Sequence, residues 1–99
     1  MAFTRIDIEQ AKDLIENQGA RVVDVRDRAS FDAGHIENAD HISNDNVNDF
    51  IKTSDHNTPL IVCCYHGNMS QGAADFFNKQ GFTQTYSLDG GYKLWAEQS

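Results

Sequence analysis

The sequence is short of proline, of cationic side chains, of long apolar runs and of cysteines that could pair, and each shortage removes a class of protein. Pro59 is the only proline, so there is no proline-rich linker or polyproline recognition segment. Eight Lys and Arg face fifteen Asp and Glu, a formal net charge of −7, which opposes nonspecific association with nucleic acid or anionic lipid. No apolar run approaches the ~20 residues of a membrane-spanning helix. Met1 to Asp13 carries Arg5, Asp7, Glu9, Lys12 and Asp13 without an apolar stretch, unlike a secretory signal. The two cysteines, Cys63 and Cys64, are neighbours and can staple no loop; neither Cys-x-x-Cys nor paired Cys/His ligands at zinc spacing occur. The expectation is a reduced, cytoplasmic protein with one working thiol, no metal, no cofactor, no membrane and no nucleic-acid partner.

What is present reads as one domain over residues 1–99, with hydrophobic residues at 39% and a core that is real but small. Short β-runs alternate with amphipathic helical stretches, which predicts an α/β fold in three layers, a mainly parallel five-stranded sheet flanked by helices. An extended segment near Phe3 to Arg5 precedes a helix capped by Asp7, with Gln10 at its third position, an apolar face of Ile8, Ala11, Leu14 and Ile15, and a stop at Gly19. Strands are expected at Arg21 to Val25, Ala39 to Ile42, Leu60 to Cys63 and Phe82 to Leu88. Short helices are expected at Ser30 to Ala33 and Asn46 to Ile51. A longer one runs from Asn68 or Ser70 to Gln80, burying Ala73, Phe76 and Phe77, and a final one follows Asp89-Gly90-Gly91 with Tyr92 and Trp95 on one face.

The continuous apolar character of Leu60 to Cys63 marks a central strand buried on both faces. Ligands of such sheets sit outside the carboxyl ends of the strands. Four segments converge there on this reading: Arg26 to Arg28, Asn44-Asp45, the loop that begins at Cys64, and Asp89-Gly90-Gly91.

Cys64 is delivered by the strand into a polar loop, Tyr65-His66-Gly67-Asn68-Met69-Ser70, that leads into a helix. Gly67 permits a positive φ, so successive N–H groups can turn inward as an anion-binding nest, and the helix N-terminus adds positive potential. Such surroundings activate a thiol by favouring its thiolate. A free cysteine is more often a buried core residue, but a polar, glycine-containing loop that starts at Cys64 itself selects it as nucleophile. Alternation turns Cys63 to the other face of the strand, into the core.

His66 is read as lining the loop rather than as a base or ligand, and His35, His41 and His56, which share no ligand spacing, as structural or surface residues. Arg26, in Asp24-Val-Arg-Asp-Arg28, is assigned an internal salt bridge at the rim of the site. Gly90 and Gly91 also belong to that rim; they form a turn whose N–H groups open a helix and add positive potential.

These motifs resemble the single-domain rhodanese family, in particular its small bacterial thiosulfate sulfurtransferases. The resemblance runs in order over nearly the whole chain: Ile8-Glu-Gln-Ala11, Asp24-Val-Arg26, Phe31-Asp-Ala-Gly-His-Ile36, Ala39, His41-Ile42, Cys64-Tyr-His-Gly-Asn68, Gln80-Gly-Phe82 and Leu88-Asp-Gly-Gly-Tyr-Lys-Leu-Trp95. It implies a rhodanese-like fold and a ping-pong transfer. Cys64 takes sulfane sulfur from thiosulfate or another donor and passes it to cyanide or a thiol acceptor such as thioredoxin, without a cofactor.

Many family members place an Arg five positions after the cysteine, where this chain has Met69, so less fixed charge is available to capture a dianionic donor. The related cysteine-dependent phosphatases use a loop one residue longer that ends in a phosphate-gripping Arg; the corresponding residue here is Ser70. The alternative from another class is a non-catalytic rhodanese-like module for protein recognition or redox sensing.

Overall fold

The computed structural model describes residues 2–98. In chain order the elements are β1 Thr4–Ile6, α1 Ile8–Gln18, β2 Arg21–Asp24, α2 Arg28–Ala33 and β3 Asp40–His41. They continue with α3 Val47–Thr53, β4 Leu60–Cys63, α4 Met69–Lys79, β5 Thr85–Leu88 and α5 Gly91–Gln98. The five strands form one sheet in the order β1-β5-β4-β2-β3, and every pairing is parallel.

The two faces of the sheet carry separate clusters. Ile61 and Cys63 of β4 pack with Ile8, Ala11 and Leu14 of α1, flanked by Tyr92, Leu94 and Trp95 of α5. Leu60 and Val62, the alternate residues, pack with Phe50 of α3 and with Ala74 and Phe77 of α4. All four β4 residues are therefore buried, as a strand covered by helices on both sides must be. This places the end of β4 centrally, at the carboxyl edge of the sheet from which every crossover departs.

Local sequence explains the helix entries. In α1 the Asp7 side chain accepts from the Gln10 N–H while the Gln10 side chain accepts from the Asp7 N–H, a complete capping box, and Gly19 closes the helix. The Asp27 carboxylate similarly accepts from the Ser30 N–H to open α2. α4 differs: Asn68 makes no side-chain cap bond, so the first-turn amides are left for another acceptor.

Two expectations are corrected. The face that α4 buries is Ser70, Ala74 and Phe77, an i, i+4, i+7 stripe; Ala73 is only half-buried and Phe76 is 41% exposed. The neighbouring stripe Met69, Ala73 and Phe76 lies one turn-step around the helix and faces outward. Strand β5 begins at Thr85 rather than Phe82. Phe82 instead turns into the core against Phe50, Phe77 and His56. The Asn78 side-chain amide donates to its carbonyl, and the Thr83 N–H donates to the His56 carbonyl, so neither backbone group pairs with a strand. Elsewhere the bounds move by a residue or two, β3 shrinking to Asp40–His41 and α2 lengthening to Arg28–Ala33.

Candidate active site

The carboxyl end of β4 opens into the Cys64 loop, and α4 starts within five residues of it. Cys64 Sγ accepts two backbone hydrogen bonds, from the Gly67 N–H at 3.2 Å and from the Ser70 N–H at 3.2 Å. The sulfur thus occupies the place of the missing α4 cap, where the helix dipole and the nest formed by the loop both favour negative charge. The residue is 1% exposed. Burial pushes the Cys64 thiol up, but the Ser70 hydroxyl and the amides of Ser70, Gly67 and His66 more than offset it, so the net direction is down from the ordinary 9.0.

Two glycines make this loop geometrically possible. Gly67 has φ 96°, and a Cβ there would lie 2.9 Å from the Gly90 backbone nitrogen. Gly91 has φ 58°, and a Cβ there would lie 2.5 Å from the Cys64 carbonyl oxygen and 2.6 Å from that of Tyr65. Behind the loop, the Tyr92 N–H donates to the Cys64 carbonyl at 2.8 Å and the Lys93 N–H to the Tyr65 carbonyl at 3.2 Å. The start of α5 is therefore spent on loop carbonyls. Gly91 permits the close approach of the loop backbone, and the amides of Tyr92 and Lys93 in the helix it opens clamp the loop from behind.

Arg26 forms an internal salt bridge with Asp24, its Nη2 2.7 Å from Asp24 Oδ2, with both side chains buried. The same Nη2 donates to the Gly34 carbonyl at 2.7 Å, and the guanidinium lies 4.4 Å from the centre of the Tyr92 ring. The Asp24 hydrogen bond, opposed by burial, holds the guanidinium pKa above its usual value. Taking one member from such a pair would leave an uncompensated buried charge, so Arg26 is committed to the scaffold.

Tyr65 and Asp27 tie the loop to α2: the Tyr65 hydroxyl donates to the Asp27 carboxylate and accepts from the Asp27 N–H. Hydrogen bonds from Tyr65 and Ser30 hold the Asp27 carboxyl well below the usual carboxylate range. The His66 side chain is exposed, and Met69, three residues further along the loop, is 55% exposed. A groove of about 820 Å³ has walls that include Arg26, Asp27, Arg28, Asn44, Asp45 and Phe76, and among the described residues none from Cys64 to Ser70 lines it. Two of the four expected segments, Arg26 to Arg28 and Asn44-Asp45, line it, whereas Asp89-Gly90-Gly91 lies against the Cys64 loop, where Gly90 abuts Gly67.

Cys63 follows the strand alternation into the opposite cluster. Its thiol donates to the Cys64 carbonyl, and burial, then the nearby Asp24, push it up to about 12. His35 stacks on Phe31 and His56 on Phe82, while His41 Nε2 lies 2.7 Å from the Arg26 carbonyl. Among the described residues no three of His, Cys, Asp and Glu come together in a group that could hold a metal ion, and no helix is long and apolar enough to cross a membrane.

The family model for a rhodanese-like domain matches residues 7–98. The chain belongs to the rhodanese family. This rhodanese-like domain is 57% identical over 93 residues to the thiosulfate sulfurtransferase GlpE of Pseudomonas aeruginosa, covering 94% of this chain and 84% of that protein. It is 54% identical over the same coverage to the GlpE of Pseudomonas fluorescens. A solved human single-domain sulfurtransferase superposes with a TM-score of 0.82 at 20% identity, covering 96% of each chain. A rhodanese-like domain protein from Staphylococcus aureus superposes with a TM-score of 0.80 at 24% identity, covering 94% of this chain and 91% of that one.

Two parts of the site were invisible to sequence reasoning. The Tyr65–Asp27 link joins residues 38 positions apart, and neither residue type signals the other. Ser87, taken only as part of an alternating strand, lies directly behind the loop with its Oγ 2.7 Å from that of Ser70. The available signal was a small polar residue at an inward position of a strand beside the central one.

Proposed function

We propose that this domain is a thiosulfate sulfurtransferase that carries sulfane sulfur as a persulfide on Cys64, residues 1–99 acting as one catalytic unit. The observation that carries this reading is the sulfur of Cys64 at the N-terminus of α4, receiving the amides of Gly67 and Ser70. Sequence relatives named for the same activity support it.

In the first half-reaction the Cys64 thiolate attacks the outer sulfur of thiosulfate. A new S–S bond forms, the sulfur–sulfur bond of the donor breaks, and its electron pair leaves on sulfite. The terminal sulfur of the resulting persulfide is anionic, and the loop from Tyr65 to Ser70 surrounds it with N–H groups. In the second half-reaction a nucleophile, the carbon of cyanide or the thiolate of an acceptor such as thioredoxin, attacks that terminal sulfur, and Cys64 leaves as thiolate. A low thiol pKa helps here because the better-stabilised thiolate leaves faster. No proton or electron beyond those of the reactants is required. With two free cysteines, the chemistry suits the cytoplasm, and Met69, rather than a cation, in the loop makes another sulfane-sulfur donor a competitor of thiosulfate.

The test is intact-mass measurement after thiosulfate treatment without reductant. A gain of one sulfur atom, absent in Cys64→Ser and removed by cyanide, is the expected result. No gain would leave the domain as a recognition or redox-sensing module.

A further inference from the structure

Ser70 and Ser87 are both fully buried, and their hydroxyl oxygens lie 2.7 Å apart, a geometry in which either can donate. Ser87 sits on β5 in register with Val62 of β4, and Ser70 is the second residue of α4. Among the described residues the Ser87 hydroxyl has this one partner, and no buried side-chain nitrogen or oxygen is left without one. Where each hydroxyl proton can go argues for one polarity. Were Ser70 to donate, the Ser87 proton would be buried without an acceptor, and Ser70 would turn lone pairs toward the anionic sulfur. With Ser87 donating, the Ser70 proton is left for Cys64 Sγ, to which the Ser70 amide donates at 3.2 Å and whose thiolate the Ser70 hydroxyl favours.

We propose that Ser87 is a positioning residue for sulfur transfer: its buried hydroxyl donates to Ser70 Oγ and thereby aims the Ser70 O–H at Cys64 Sγ. The inference rests on Cys64 being the sulfur-carrying nucleophile. The relay, Ser87 O–H to Ser70 O–H to Cys64 sulfur, moves no proton and consumes no reagent; it holds a donor in place. Its effect falls where Cys64 bears charge, as the attacking thiolate and again as the leaving thiolate. Hydrogen bonds in such a chain polarise one another, so the outer hydroxyl strengthens the inner bond.

The test uses the full-length protein and reads the pH dependence of Cys64 alkylation by iodoacetamide, which reports thiolate formation whether or not sulfur is transferred. Ser87→Ala is expected to raise the alkylation midpoint by about half a pH unit, a share of one hydrogen bond. Thr85→Val, which removes another buried hydroxyl of β5 whose partner is the Ala2 carbonyl, should leave the midpoint in place. In a Ser70→Ala background Ser87→Ala should add no further shift, since the relay is already cut. An unchanged midpoint in folded Ser87→Ala, or an equal shift with Ser70 absent, overturns the proposal. If Ser87→Ala does not fold, wild-type protein decides by NMR. The Ser70 and Ser87 hydroxyl protons should both move as Cys64 titrates, and a Ser87 proton indifferent to that titration refutes the relay. Failure to form a persulfide with thiosulfate would instead reject the proposed function and leave the alkylation result intact.

Discussion

Cys63 and Cys64 are adjacent in sequence and almost equally hidden, at 0% and 1% exposure, yet their thiols are driven in opposite directions. Cys63 ends a strand and packs with Ile8, Ala11 and Leu14, and among the described residues no hydrogen-bond donor to its sulfur is seen. Cys64 is the first residue past the strand, and two amides converge on its sulfur. Burial alone raises a thiol pKa, and burial against N–H groups at a helix N-terminus reverses the effect. Exposure is therefore a poor guide to a reactive cysteine; the count and direction of donors decide.

The largest expected effect breaks the comparison outright. Cys64→Ser should abolish persulfide formation and turnover, while Cys63→Ser should retain both, since its side chain lies on the other face of the sheet. A dead Cys63→Ser with an active Cys64→Ser would reverse the assignment. Next is Gly91→Ala. An alanine at φ 58° with its Cβ 2.5 Å from the Cys64 carbonyl oxygen carries about 1–3 kcal/mol of backbone strain before any clash is counted. Thermal unfolding should drop by at least about 4 °C in a domain of this size, with loss of low-pH alkylation at Cys64.

The buried thiol makes a prediction in pH. Cys63 keeps its proton in the folded state up to about 12, while its ordinary value is 9.0. Between those values the unfolded chain releases a proton that the folded chain retains, so stability falls as pH rises through that window, by at most about 1.4 kcal/mol per pH unit. Cys63→Val should flatten this part of the stability profile in denaturant titrations, and an unchanged slope would show that other groups set it.

Smaller effects test the mouth of the loop. Met69, 55% exposed, stands where a cation would meet the donor, and Met69→Arg should lower the KM for thiosulfate by up to about fivefold at low salt. The gain should fade near 1 M salt, where the Debye length shrinks to about 3 Å; an unchanged KM at low salt removes loop charge from the explanation. His66→Ala should shift the Cys64 alkylation midpoint least, because the His66 side chain is exposed and it is the backbone amide that favours the thiolate. A large upward shift would assign the activation to the imidazole.

Much of this was legible in the chain because it is local. The Asp7 and Gln10 capping box, the Gly19 stop, the buried β4 run and the divergent fates of Cys63 and Cys64 all follow from residues within a few positions of one another. The bridge between Arg26 and Asp24 spans two positions. What failed was the choice between adjacent helical faces. Ala73 and Phe76 are as apolar as Ala74 and Phe77, so periodicity alone cannot say which stripe meets the sheet; in the fold Ser70, a polar residue, takes a buried place because Ser87 and the Cys64 loop meet it there.

The sequence by itself determined the parallel α/β arrangement, the cysteine that enters a loop and the helix that follows it, since each depends on spacing and local backbone preference. Tertiary structure alone decided two things. α5 spends its first amides on the carbonyls of Cys64 and Tyr65, and Ser87 stands behind Ser70. Each pairs groups from strands or helices far apart in the chain, and such pairing is set by the order and register of the sheet, which no local pattern encodes.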